Sequence, residues 1–419
     1  MSVQSVRGMK DLLPPESSLW NSLGQRMRGH FSVRGYSEIN TPILEKSELF
    51  LRSIGETTDI VEKEMYTFTD KSGESVTMRP EGTGPVVRAY LQNRGAFGDM
   101  PVRLFYMGPM FRHERPQKGR LRQFHQAGAE VLGSEEPYVD AEVIIALHDL
   151  FNDLRIEGVS LEVNSLGCPV CRPGYHDALR SYIETRISGM CSDCQRRYDR
   201  NPLRVLDCKS ALCGEVKKDA PSILDFLCGD CRPHFDEVCR ILKRNGINHK
   251  VNSRMVRGLD YYQRTAFEFI ADGLGAQNAV AAGGRYDGLA EMIGASSKVP
   301  GVGFAIGIER LILLIPKEGI TGMEKGVSVF LVVQSPSFID SAYSLKREIE
   351  ERGIRCQMDY GTRSMKSQMR KANRIEASYA VIFGEGEMER GCVTVKEMGG
   401  GSEEEISLDH VLSRIMDNG

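Results

Sequence analysis

Residues 103–133, RLFYMGPMFRHERPQKGRLRQFHQAGAEVLG, constrain this chain more than any other stretch. Apolar and polar residues alternate with a period of two on both sides of HERPQKG, whose Pro and Gly mark a hairpin loop. Five cations, Arg112, Arg115, Lys118, Arg120 and Arg122, stand in and beside that loop against one anion, Glu114. In the second strand, alternation puts Arg122, Phe124, Gln126, Gly128 and Glu130 on one face. The opposite face, His125, Ala127, Ala129 and Val131, reads as the packed one. A charged hairpin alone is ordinarily just solvated. Here a ring, an amide and a carboxylate share one face beside an arginine-rich loop. That combination suits an anionic polyphosphate at one end and a small cationic or hydrogen-bonding ligand at the other.

The 419 residues suggest about three domains. A net charge of -3 offers no global basicity, so any nucleic acid must be met by local patches. MSVQSVRGMKDLLPP lacks the apolar core of a secretion signal, and the longest apolar run, VGFAIGIERLILLIP, is interrupted by Glu309 and Arg310. A cytoplasmic protein is expected, with no membrane partner. In a reducing compartment, 11 cysteines argue for metal ligands or buried thiols rather than disulfides.

Taken in order, a helix is expected over 17–33 and a single short strand over GYSEINTPILE, stopping at Thr41-Pro42. Two strands flank DKSG, and RPEGTGP turns into a helix over 85–93. Glu81 and Thr83 stand at that turn, where Thr83 or Gly84 would also serve as a plain helix cap. An apolar helix over 137–157 precedes a strand over 161–166. Residues 166–248 read as a mainly helical, Cys-rich insertion, because strand-like sequence resumes at 249. In that sequence Tyr262, Arg264, Ala266 and Glu268 alternate with Gln263, Thr265, Phe267 and Phe269. VPGVGFAIGIERLILLIP is a strand running into a helix. After a linker at 316–326, residues 327–419 alternate strand and helix as a small α/β domain. Residues 1–165 and 249–322 would then form one core split by the insertion.

Cys168, Cys171, Cys191 and Cys194 have C-x2-C spacing on both sides of a nineteen-residue gap, as in zinc ribbons. Cys208, Cys213, Cys228 and Cys231 make a second, looser quartet. Spacing does not decide the pairing among the eight, and buried free thiols are the alternative to a structural Zn2+.

The whole chain resembles bacterial-type histidyl-tRNA synthetases, which are class II aminoacyl-tRNA synthetases. EINTPILE is similar to motif 1, FRHERPQKGRLRQFHQ to motif 2 and GVGFAIGIERL to motif 3 of that class. VRGLDYYQRTAFEF and AGGRYDGL resemble the histidine-specific motifs. The resemblance implies an α+β fold: an antiparallel sheet flanked by helices, the insertion, and a C-terminal anticodon-binding domain. It implies activation of L-histidine with ATP and Mg2+ to histidyl-adenylate and pyrophosphate, then transfer to the 3′ end of tRNA(His). A homodimer with Pro42 at its interface is implied too.

By the same resemblance, Arg257 and Arg112 are catalytic, at the α-phosphate and the histidine carboxylate. Arg310 takes the adenine and γ-phosphate end, Arg120 and Glu114 belong to the ATP site, and Phe124 stacks under adenine. Glu81, Gly82, Thr83 and Gln126 hold the α-ammonium region. Glu130 and Tyr262 read the imidazole, with Tyr261 and Tyr286 as walls. Arg115 and Gln117 approach the acceptor end of tRNA, while Lys366, Arg370, Lys371 and Arg374 form a phosphate-facing helix. The rival is the regulatory subunit of ATP phosphoribosyltransferase, which as a family lacks the anticodon domain and the intact arginine motif; both stretches are present here.

Overall fold

The hairpin is the centre of an eight-stranded sheet. In this computed structural model, which describes residues 3–55, 58–117, 119–199, 201–208, 210–271, 274, 278–316, 328–361 and 364–416, strands Val102–Phe111 and Gln123–Leu132 pair antiparallel, with Met110 opposite Phe124 and Leu104 opposite Glu130. Gly301–Gly307 follows, then Ala279–Arg285, Gln263–Ala271 and Val159–Ser165, all antiparallel. The two outermost strands, Ser37–Glu38 and His249–Val251, pair parallel to their neighbours. The sheet is therefore mixed, with an antiparallel centre.

Its two faces differ as the alternation requires. Ala127, Ala129 and Val131 are buried with Phe31, Phe105, Phe267 and Phe304 under helices Glu16–Ser32 and Pro137–Asp153. Small residues on the strand leave room for the ring stack of Phe31 on Phe105, with centroids 4.7 Å apart. The other face carries Tyr106, Tyr261, Tyr262 and Tyr286 against helix Thr83–Gln92.

Two sequence expectations change. GYSEINTPILE is not one strand: Ser37–Glu38 joins the large sheet, while Leu44–Lys46 joins a separate sheet with Tyr66–Thr69 and Ser75–Met78. The Arg79 guanidinium donates to the Thr41 and Pro109 carbonyls at 2.8 and 2.9 Å and fixes the crossover. The alternation over 262–269 also breaks at its start. Arg264 is left-handed (φ 48°), the strand begins at Gln263, and Tyr262 lies outside it. That kink moves Tyr262 off the strict alternation.

The insertion contains helices Arg172–Glu184, Ser192–Arg197, Leu203–Leu206, Ala211–Lys218 and Cys231–Arg244. Its small core holds Tyr175, Leu179, Ile183 and Val205 together with Cys194 and Cys213. The chain divides into units 1–320 and 321–419. Nearly all of the expected linker, 317–326, lies outside the described residues. In the second unit, five strands run in the order Arg355–Met358, Ser328–Val333, Tyr379–Phe383, Cys392–Glu397, Glu403–Ser407, with helices Ile339–Glu351 and Met365–Arg374. No described helix is long and apolar enough to cross a membrane.

Candidate active site

A cavity of about 300 Å³ opens on the tyrosine-bearing face of the sheet. Arg112, Glu114, Arg120 and Phe124 from the hairpin line it, with Arg310, which follows the Gly301–Gly307 strand. Glu81, Thr83, Gln126, Arg257, Tyr261 and Tyr262 line it too, with Glu309 and the apolar Ile60, Leu259 and Val280 among the rest. Alternation along the hairpin strand thus delivered Phe124 and Gln126 to the cavity.

The cationic end is built from three elements. Arg112 Nε donates to the Pro80 carbonyl at 2.8 Å, and its guanidinium lies 5.3 Å from the centroid of the Phe124 ring. Arg120 Nε sits 2.9 Å from the buried Glu114 carboxylate, and Arg112 reaches the same carboxylate at 4.0 Å. Arg310 Nη1 donates to the Ala279 carbonyl at 2.7 Å. Burial, and then Arg120 and Arg112 nearby, lower the Arg310 pKa. The three guanidiniums converge on this end of the cavity, with Glu114, Glu309 and Glu64 close by, and offer a set of N–H donors suited to an anionic oxygen.

Arg257 stands apart from them. One Nη of its guanidinium donates to Glu268, and it lies 5.4 Å from the Tyr262 ring centroid. Burial works against its charge most strongly, but the Glu268 carboxylate together with Tyr262 and Tyr261 outweighs it and holds the pKa above the usual arginine value. Its Nε is buried with no hydrogen-bond partner, and so is the Gln126 amide oxygen. A buried donor and a buried acceptor left unpaired in one cavity are costly unless a ligand completes them.

Beneath lies a carboxylate pair. Glu81 accepts from the backbone N–H of Thr83 (2.7 Å) and Gly84 (2.8 Å), so the side chain of Glu81 caps helix Thr83–Gln92, rather than Thr83 or Gly84. Glu130, with none of its surface exposed, accepts from Thr83 Oγ1 at 2.7 Å and from Tyr286 OH at 2.5 Å. Burial is the main cause that pushes the Glu130 pKa up to about 8; the two hydroxyl bonds pull it down and Glu81 adds to the rise. Burial raises Glu81 as well. Tyr261 packs on Tyr262 and Tyr286 with centroids 4.7 and 5.8 Å away. Gly82 is buried where a side chain would meet the Tyr106 ring.

Arg115 and Gln117 are exposed on the hairpin loop, and Lys118 lies outside the described residues. In the second unit Lys366, Arg370 and Arg374 are exposed, whereas Lys371 is half-buried, 3.8 Å from Asp359. The cysteines assemble differently from their order in sequence. Cys168 and Cys171 meet Cys228 and Cys231, while Cys191 and Cys194 meet Cys208 and Cys213.

Sequence reasoning missed two things. Alternation marks Glu268, the partner of Arg257, only as a strand position, because its pairing depends on a loop eleven residues away. A buried ionic knot was missed too: Arg285 pairs with Asp140 and Asp287, and His234 Nε2 lies 2.8 Å from Asp140. Arg285 and Asp287 both stand inside AGGRYDGL, but Asp140 comes from a helix 145 residues earlier in the chain.

A family model described as histidyl-tRNA synthetase matches residues 8–168 and 227–311, and an anticodon-binding domain model matches 327–418. A histidine–tRNA ligase of Syntrophotalea carbinolica is 46% identical over 417 residues, covering 100% of this chain and 99% of that one. One from Desulfotalea psychrophila is 50% identical over 409 residues, covering 97% and 94%. The crystal structure of apo S. aureus histidyl-tRNA synthetase superposes with a TM-score of 0.83 at 34% identity, over 99% of this chain and 100% of that one. The cavity, its cations and these matches lead to one conclusion: the chain belongs to the histidyl-tRNA synthetase family, and its activity is the ATP-dependent joining of histidine to tRNA.

Proposed function

We propose that the cavity runs both half-reactions with the residues named above in fixed roles. The carrying observation is the pair of buried, unpartnered groups, Arg257 Nε and Gln126 Oε1, in one cavity with three further arginines. An α-amino acid brings an acceptor for the first and an ammonium donor for the second. Its carboxylate attacks the ATP α-phosphorus, and pyrophosphate leaves in line. Two anions meet in that step, so positioning and charge neutralisation supply most of the acceleration. Arg257 and Arg112 flank the α-phosphate and carboxylate. Arg310 takes the adenine and γ-phosphate end, and Arg120 with Glu114 borders the phosphates. Phe124 stacks on adenine. ATP enters as its Mg2+ complex, with phosphate oxygens and water as the metal's main ligands.

Glu81, Gly82, Thr83 and Gln126 hold the ammonium end. Glu130 and Tyr262 face the imidazole, with Tyr261 and Tyr286 as walls. A site that pairs both ring nitrogens rejects apolar competitors, since these leave buried groups unpaired. Transfer to the terminal ribose needs no protein nucleophile. Arg115 and Gln117 meet the acceptor end, while Lys366 and Arg370 meet anticodon-side phosphates.

The domain reading is a core of 1–165 and 249–322, an insertion at 166–248 and an anticodon-binding domain at 327–419. The family match, which skips 169–226, supports it. The eight insertion cysteines are read as structural Zn2+ ligands, supported by their two clusters. The chain works as a cytoplasmic homodimer through motif 1. Exposed Ile43, Leu44 and Phe68 around Pro42 support this. A monomer mass in sedimentation at micromolar protein would count against it.

Arg257→Ala should abolish histidine-dependent ATP–pyrophosphate exchange while keeping the native melting profile. Near-normal exchange by that variant would sink the catalytic assignment.

A further inference from the structure

We infer that the insertion holds two tetrathiolate zinc ions, one site nested inside the other in the sequence, and that the outer one positions the histidine-pocket segment 257–262 through Arg172. This rests on the structural-zinc reading above and goes beyond it in pairing and in task.

The pairing follows from geometry. Tetrahedral Zn2+ with Zn–S bonds of about 2.3 Å sets its sulfurs about 3.8 Å apart. Cys168 Sγ lies 3.6 Å from Cys171 Sγ and 3.8 Å from Cys228 Sγ, and Cys191 Sγ lies 3.7 Å from Cys208 Sγ. All four sulfurs of each quartet fall within 4.8 Å of one another. A disulfide requires about 2.05 Å and takes sulfurs in pairs, not fours. Backbone donors also aim at the sulfurs: Cys228 N–H at Cys171 Sγ (3.2 Å), Cys191 N–H at Cys213 Sγ (3.4 Å) and Ser210 N–H at Cys208 Sγ (3.4 Å). Such bonds favour sulfur that carries negative charge, as zinc-bound thiolate does.

The two ions have different neighbours. Cys168 and Cys171 stand where strand Val159–Ser165 leaves the core, and Cys228 and Cys231 stand at the start of the returning helix Cys231–Arg244. The first ion therefore ties the entry of the insertion to its exit. Arg172, next after Cys171, donates from Nε to the Leu166 carbonyl at 3.3 Å and from Nη2 to the Tyr262 carbonyl. Arg264 N–H donates to the Gly167 carbonyl at 2.9 Å. The imidazole partner Tyr262 is thus held from behind by a residue whose own backbone is held by the metal loop. The second quartet lies inside the insertion's own core. Its neighbourhood meets the same segment through Arg204, which donates to the Gly258 carbonyl at 3.2 Å and pairs with the partly exposed Asp260 at 2.9 Å, whereas Arg172 of the first metal loop holds Tyr262 itself.

Metal analysis of the full chain, combined with double variants, tests the pairing. The native protein should contain two zinc ions per chain. Cys168→Ser with Cys228→Ser should lose one ion, and Cys168→Ser with Cys191→Ser should lose both. The reverse pattern overturns the nested pairing. Zinc-free native protein with all eight cysteines reactive overturns the zinc reading itself, and with it the inference. Arg172, a positioning residue and not a ligand, tests the second half separately. Arg172→Ala should keep both ions and the native melting profile, yet raise the KM for histidine about tenfold or more with the KM for ATP little changed. Arg172→Lys should recover part of that loss. An unchanged histidine KM in Arg172→Ala overturns the positioning role and leaves the zinc reading standing.

Discussion

Gly303 stands directly opposite Glu130 in the sheet, and a methyl group placed on Gly303 would fall within the Glu130 carboxylate. Gly301, two residues earlier on the same strand, leaves the matching space for the Tyr286 ring. The two hydroxyl bonds to Glu130 therefore exist only because the neighbouring strand is bare at these positions.

Gly303→Ala should displace Glu130 from Thr83 and Tyr286. The expected cost is about 1–3 kcal/mol of stability from overpacking, with a rise of about tenfold or more in histidine KM. Steady-state exchange at varied histidine and at varied ATP separates the outcomes. A wild-type histidine KM would mean that Glu130 does not need this space.

Burial keeps Glu130 protonated in the free protein up to about pH 8, against an ordinary value of 4.5. The folded chain then binds one more proton than the unfolded chain between those values, so stability falls as pH rises through that window. The slope from this group is at most about 1.4 kcal/mol per pH unit. Glu81, raised by burial too, acts in the same direction. Glu130→Gln should flatten the decline and weaken histidine far more than ATP. Urea midpoints at several pH values between those limits check the first claim; parallel pH profiles for variant and parent would refute it.

Arg285 is buried against Asp140 and Asp287. Burial pushes the Asp140 carboxyl up, but Arg285 and His234 hold it below its usual range. Arg285→Met should cost about 3–5 kcal/mol because it strands a buried carboxylate. Adding Asp140→Leu should return part of that loss, since the stranded charge is gone. Denaturant midpoints measure both. A single-variant loss below about 1 kcal/mol, as for an exposed pair, would contradict the knot.

Much of the site was legible because it lies on strands. A period of two put Phe124 and Gln126 on the cavity, Glu130 on the same side of the sheet against Thr83 and Tyr286, and Ala127, Ala129 and Val131 in the core. The ordered motifs also identified the family before any coordinates. Backbone kinks and distant partners were not legible. Left-handed Arg264 took Tyr262 out of its alternation, and Arg79 bent motif 1 into two sheets.

The sequence by itself determined which residue types would meet: local periodicity is a short-range property, and it survives into the fold wherever a strand stays regular. Only the tertiary structure decided which cysteine joins which, that Glu268 answers Arg257, and that Gly303 makes room for Glu130. Each of those depends on the distance between segments far apart in the chain, and close packing of the whole unit sets such distances.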